Sequence, residues 1–246
     1  MTGKTIVITG ANGGLGRALA QRFAADGDTI LLLGRTLSKV QEVAAAIGER
    51  ASAVQCDVSS PDSVRAAFAS IAETHGPIDV LINNAAIFQP FLIEEATDAQ
   101  ILDAVTINLA GPMFTSRSAI PLMRTGGHIV NLSSESVEVP LPHLLAYEST
   151  KAGLERLSRG LRDELADRGI RVTVVRAGQM FGPGMSAEME PEAAGRFFQA
   201  AAKMGFDLAA RGATQYDSTT QIFRTIIDSP ADLHIGTVTY QSRVAQ

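Results

Sequence analysis

The sequence contains no tryptophan and a single cysteine, Cys56. One thiol excludes an internal disulfide and fits a reducing compartment. At the end of a strand it reads as a small buried hydrophobe rather than a nucleophile. No apolar run approaches the roughly 20 residues that a helix needs to cross a bilayer. Basic residues are outnumbered, 21 Lys and Arg against 26 Asp and Glu, for a net charge of −5. That balance offers no basic surface to nucleic acid or anionic lipid. His75, His128 and His234 lack companions at ligand spacing, so no metal site is expected. Repeats, low-complexity tracts and linker-like stretches are absent. A strand within a few residues of Met1 leaves no room for a signal peptide. What remains is 246 residues, 46% hydrophobic and 19% charged. This suits one cytoplasmic domain spanning 1–246.

Short apolar runs alternate with longer amphipathic ones. Strands are expected at residues 5–9, 29–33, 53–56, 80–83, 128–132, 171–175 and 235–240. Helices lie between them. The first runs from Gly14 to near Gly27; the second has Ser38 as N-cap and Gly48 just past its end. Ser60 and Pro61 open a third. Thr97 and Gln100 have capping-box spacing for a fourth that starts near Asp98. A fifth carries Tyr147 and runs to about Asp167. This βαβ alternation predicts a Rossmann-type α/β fold, a doubly wound seven-stranded parallel sheet with helices on both faces. Ligands are then expected at the carboxyl ends of the strands.

The run Thr9-Gly10-Ala11-Asn12-Gly13-Gly14-Leu15-Gly16 joins the first strand to the first helix. Glycines permit a tight turn and close approach of a pyrophosphate, and the helix N-terminus adds free N–H groups. An acidic residue after the second strand would bond the ribose 2′-hydroxyl of NAD(H). Here Arg35 and Thr36 follow Gly34, so a 2′-phosphate finds a cation and a hydroxyl. The expected cofactor is NADP(H), the alternative being that Arg35 is a solvated loop charge. Asp57 can accept a bond from an adenine amino group or simply cap the next helix; Val58 adjoins it.

Tyr147 and Lys151 stand four residues apart, on one face of the fifth helix. An ammonium beside a phenol favours the phenolate and lowers the phenol's pKa. A phenol so tuned can exchange a proton with a substrate oxygen. Ser134 lies thirteen residues before Tyr147; its neighbour Ser133 must face the opposite side of a strand and reads as a structural hydroxyl.

These motifs, with Asn84, Ala85 and Ala86 after the fourth strand and Asn108 in the fourth helix, resemble the short-chain dehydrogenase/reductase family up to about Val175. The resemblance implies that Tyr147 is the general acid–base, that Lys151 tunes it and holds the nicotinamide ribose, and that Ser134 polarises the carbonyl. It implies that Asn108 keeps a water in a proton relay and that Asn84 supports the sheet edge beside the cofactor. It also implies a homodimer or homotetramer through the helices beginning near Asp98 and Tyr147. The chain departs from the family pattern at Ala86, where glycine is usual. It departs again after the sixth strand, where Gly178 is kept but the usual proline and threonine are missing from Arg176-Ala177-Gly178-Gln179-Met180-Phe181-Gly182. Contacts to the nicotinamide amide then fall to backbone or to Gln179, with Gly178 and Met180 beside it.

The stretch 178–212 is rich in Met and Phe and is flanked by glycines. It reads either as a lid over an apolar pocket or as a helical insert that packs the core. Ser136, His143, Met180, Phe181 and Met185 are candidate substrate contacts, and Glu135 and Glu138 are either solvated charges or contacts to a cationic group. The expected activity is interconversion of a ketone or aldehyde and an alcohol, on a mainly apolar substrate. The alternatives are a non-catalytic NADP(H) sensor on the same fold and an isomerase or dehydratase that uses the cofactor transiently.

Overall fold

The computed structural model describes residues 3–182, 189–208 and 211–242. Seven strands form one parallel sheet: β1 (Thr5–Thr9), β2 (Thr29–Gly34), β3 (Ala51–Gln55), β4 (Ile78–Asn83), β5 (Met123–Ser134), β6 (Arg171–Ala177) and, last in the chain, β9 (Thr237–Tyr240). Their order is β3-β2-β1-β4-β5-β6-β9. The chain winds outward in both directions from the β1–β4 pair, and the crossover reversal there opens a crevice at the carboxyl ends.

Both faces of the sheet are covered, because consecutive side chains of a strand point to opposite sides. Ile6 and Ile8 of β1 pack with Leu19 and Phe23 of α1 (Gly14–Ala25) and Phe223 of α8 (Tyr216–Asp228). Val7, between them, packs on the other face with Phe68 and Ile71 of α3 (Pro61–Thr74) and Leu161 of α6 (Leu145–Leu165). Unbroken apolar runs such as Leu31-Leu32-Leu33 therefore suit a parallel sheet covered on both faces.

Helix starts follow local chemistry. Ser60 accepts the Ser63 N–H, and Thr97 and Gln100 form a reciprocal capping box ahead of α4 (Asp98–Val105). The second helix, α2 (Leu37–Ile47), differs from the expected start: Thr36 is its N-cap, without a side-chain bond, and Ser38 lies inside the first turn. The fourth helix is interrupted. A π segment, Thr106–Ala110, separates α4 from α5 (Gly111–Ala119) and carries Asn108. Such bulges recur at functional sites because the extra residue re-aims a side chain.

After β6 the chain forms a two-residue strand β7 (Met180–Phe181), the helix α7 (Pro191–Lys203) and β8 (Thr214–Gln215), which pairs with β7. Among the described residues no helix is long and apolar enough to cross a membrane.

Candidate active site

The glycine turn is built for close approach. Gly10 has φ +65°, and a Cβ there would sit 2.9 Å from the Cα of Ala85; one on Gly16 would meet the Gly10 carbonyl at 2.5 Å. The turn is clamped to the loop after β4. Asn84 donates through Nδ2 to the carbonyls of Thr9 (3.0 Å) and Gly10 (3.2 Å). The Thr9 hydroxyl accepts the N–H groups of Asn84 and Ala85. Gly13, the N-cap of α1, supplies no side-chain bond, and the first turn holds no acidic residue. The leading N–H groups, from Gly14 to Gly16, remain available to an anion. The cradle that extra Cβ atoms would fill, joined to an open helix end, fits a dinucleotide's pyrophosphate. Asn12 lies over Gly34, and Ala86 is exposed beyond the clamp.

At the end of β2, Arg35 and Thr36 are exposed, and among the described residues no ion pair involves Arg35. Asp57 is turned inward on its own loop, accepting the N–H (2.9 Å) and hydroxyl (2.6 Å) of Ser59 through one carboxylate oxygen. Val58 packs against Gly111 at the start of α5.

Ser134 is the last residue of β5, and Tyr147 and Lys151 occupy successive turns at the start of α6. The ammonium of Lys151 is buried, donates to the Leu132 carbonyl at 2.8 Å and lies 5.6 Å from the centroid of the Tyr147 ring. The spacing predicts a lowered phenol pKa; the structure shows the opposite balance. Burial pushes Tyr147 up to about 12, and the opposing influence is a hydrogen bond with Ser134. Burial also lowers Lys151 to about 8. Desolvation dominates at the phenol because it lies under an apolar cover. Phe88 meets the Tyr147 ring edge-on at 5.1 Å, and Phe197 of α7 meets Phe88 at 6.0 Å. Leu141 and Phe206 pack at the same place around buried Leu144.

Asn108 is buried and clamps the Phe88 loop. Its side chain accepts the Ile87 N–H at 2.8 Å and donates to the Ile87 carbonyl at 2.9 Å. Below the site a buried polar ladder joins four elements: Thr115 donates to Asn83, Asn83 to Asn131 and Asn131 to Ser158. These residues lie far apart in sequence, and single polar residues inside apolar runs were their only signal. Phe88 was also missed; its signal was an aromatic residue close behind the Asn83-Asn84-Ala85-Ala86 run.

The remaining candidates divide. Ser133 faces away from Ser134, donating to Glu155 at 2.7 Å, and Glu155 is bound by Arg176. Glu135 pairs with Arg211 and Gln241, and Glu138 pairs with Arg176, so both acids are engaged rather than simply solvated. Ser136 is buried behind Ser134 and bonded to it. His143 adopts φ +65°, and its carbonyl accepts the Phe91 N–H, joining the loop before Tyr147 to the loop beyond Phe88. Gly178 donates to the Tyr240 carbonyl, and the Met180 sulfur accepts the Tyr240 hydroxyl. Phe181 is largely exposed, and Met185 lies outside the described residues. In the stretch 178–212, Phe197 and Ala201 are buried while Phe198 and Met204 are exposed, so α7 both packs and covers. Among the described residues no cluster of His, Cys, Asp or Glu can hold a metal ion.

The family model for short chain dehydrogenase matches residues 4–193. A 3β-hydroxysteroid dehydrogenase of Eggerthella lenta is 36% identical over 202 residues, covering 78% of this chain and 77% of that protein. A short-chain dehydrogenase from Streptomyces avermitilis superposes with a TM-score of 0.84 at 28% identity, covering 97% of this chain and 88% of the other. A blue fluorescent protein from a metagenomic library, solved in complex with NADPH, superposes with a TM-score of 0.81 at 28% identity, covering 98% and 97%. The glycine cradle at the sheet's crevice, the assembled serine, tyrosine and lysine, and a family match over most of the sequence lead to one conclusion: the chain belongs to the short-chain dehydrogenase family of oxidoreductases.

Proposed function

We propose that the protein is an NADP(H)-dependent reductase or dehydrogenase that interconverts a ketone or aldehyde and an alcohol on a mainly apolar, ring-bearing substrate. The observation that carries this reading is the convergence of Ser134, Tyr147 and Lys151 at the carboxyl end of β5 under the Phe88 and Phe197 cover.

When bound, the nicotinamide supplies or accepts the hydride. The chain's own residues do the rest. The glycine turn and the open end of α1 hold the pyrophosphate. Arg35 and Thr36 would hold the 2′-phosphate; that no ion pair engages Arg35 among the described residues supports this, as does the similarity to a protein solved with NADPH. Reduction builds negative charge on the substrate oxygen, and hydroxyls of Ser134 and Tyr147 aimed at that oxygen stabilise it. Tyr147 then delivers its proton. A phenol held near 12 is fully protonated at neutral pH, which suits an acid in the reducing direction. Buried Phe197 and Leu144 form an apolar wall, and the partly exposed Phe88 offers a ring to a flat apolar substrate. The hydroxysteroid dehydrogenase among the relatives supports a fused-ring alcohol or ketone. The same reading includes a cytoplasmic homodimer or homotetramer, supported by the exposed apolar residues Leu102, Val105, Met113 and Leu145 on α4, α5 and α6.

NADPH consumption against a panel of ring and open-chain ketones and aldehydes, with Tyr147→Phe alongside, tests this. Turnover that disappears in the variant while NADPH still binds is the expected result. Cofactor binding without turnover of any carbonyl, or of any alcohol with NADP, would refute it in favour of a sensor.

A further inference from the structure

Ser134 ends β5, and the chain turns at once into the single 3₁₀ turn Glu135–Val137. Within that turn Ser136 sends two donors back to the same atom. Its N–H lies 3.2 Å and its hydroxyl 2.9 Å from the Oγ of Ser134. Ser136 is 3% exposed, and among the described residues its hydroxyl has no other hydrogen-bond partner. A buried hydroxyl proton needs an acceptor, and among the described residues the only one at hand is Ser134.

A serine hydroxyl has one proton and two acceptor lone pairs. The backbone N–H alone, an ordinary turn contact, would leave one lone pair free. Ser134 could then accept from a substrate or from Tyr147 as readily as donate. The second bond, from the Ser136 hydroxyl, fills the remaining lone pair. The Ser134 proton can now only be given away, and Ser134 is the side chain that acts against burial on the Tyr147 phenol. The turn itself is held from outside: Glu135 by Arg211 and Gln241, Glu138 by Arg176.

We propose that Ser136 is a positioning residue that makes Ser134 an obligate donor, aimed first at the Tyr147 oxygen and then at the substrate oxygen. This rests on the carbonyl–alcohol reading above. It replaces the expectation that Ser136 touches substrate. Reduction needs donors at the carbonyl oxygen as charge develops there. A serine free to accept would compete with the substrate for the Tyr147 proton.

The experiment compares wild type, Ser136→Ala and Ser136→Thr. Ser136→Ala removes the side-chain donor and keeps the N–H; Ser136→Thr keeps both. In Ser136→Ala we expect kcat to fall about tenfold, the effect of one weakened hydrogen bond in the transition state, with the Kd for NADPH unchanged. Ser136→Thr restores the rate. A merely structural role would not move the pH profile. Here the limb of alcohol oxidation that reports the Tyr147 phenol moves to higher pH in Ser136→Ala, because the bond from Ser134 that favours the phenolate is weakened. An unchanged kcat and profile in Ser136→Ala overturns the proposal. So does a lower kcat with an unmoved profile, or one that threonine does not rescue. The phenolate absorbance of Tyr147 in the NADP complex, taken as the difference between each protein and its Tyr147→Phe counterpart, reads the same bond without turnover. If wild type turns over no substrate, the functional reading fails, and this titration still decides: a higher phenol pKa in Ser136→Ala supports the Ser136 assignment, and an unchanged one overturns it.

Discussion

Replacing His128 removes a built-in acid sensitivity of the fold. His128 lies in β5 at 2% exposure, its Nε2 2.8 Å from the Thr173 hydroxyl. That hydroxyl is itself committed as donor to the Ile235 carbonyl at 2.6 Å, so Nε2 carries the imidazole proton. Nδ1 is buried, and among the described residues it has no partner ready to accept a proton placed on it. Burial, then the charge of Arg171, then His234, lower the imidazole from 6.5 to about 3. A pKa depressed on folding contributes stability that is complete above 6.5 and is lost as pH falls toward 3. At pH 5 the unfolded chain would favour protonation by about 1.5 decades more than the folded one, or about 2 kcal/mol. That is a large part of a typical stability of about 5–15 kcal/mol. Urea unfolding at pH 7.5 and pH 5, at one protein concentration, measures it. His128→Gln has some neutral-pH cost from altered packing, on the order of 1 kcal/mol. Its loss of stability between the two pH values, however, should be smaller than wild type's by about 2 kcal/mol. Equal losses in the two proteins would refute the reasoning.

Two further outcomes follow from the site. Arg35→Ala should raise the Kd for NADPH roughly 10- to 100-fold, the worth of a charge-assisted contact, and leave that for NADH within about twofold; fluorescence titration checks this, and an unchanged ratio sinks the NADP(H) assignment. Phe88→Ala removes the edge-on ring from Tyr147, a contact worth about 0.5–1.5 kcal/mol, and readmits water to the phenol. Its kcat/KM should fall for ring ketones relative to short open-chain ones, and the Tyr147 limb should move to lower pH; equal losses on both substrate classes would count against a ring-recognising cover.

Local chemistry in the sequence was enough for most of the frame. The runs around Ile6–Ile8 and Leu31–Leu33 are apolar at every position, as a strand covered on both faces requires, and β1 and β2 lie where those runs do. The capping chemistry of Ser60 and Thr97 predicts helix starts correctly because it is satisfied within three residues. The same rule misplaces the start of α2, since Ser38 satisfies the residue preference but Thr36 occupies the N-cap. β5 begins at Met123, earlier than its apolar core suggests, because pairing of Met123 with Ile78 of β4 draws the polar and glycine residues 124–127 into the strand.

At the site, spacing alone places Tyr147 and Lys151 on one face of α6, because a helix turn is a local repeat. The glycine turn is equally legible, since its residues and the helix that follows are contiguous. Whether the phenol is easy or hard to ionise is not a local property. Phe88, Phe197 and Leu141 come from other loops and from α7, and the burial they impose overrides the cation that the spacing supplies. The partners of Glu135 and Glu138, Arg211 and Arg176, stand 76 and 38 residues away, and no pattern in the chain announces them. Sequence by itself determined the alternating fold and the placement of Tyr147 and Lys151 on one helix face, because periodicity and contiguous motifs encode backbone hydrogen bonding and facing. Only the tertiary structure decided which groups are desolvated, because that depends on neighbours the chain brings together only when folded.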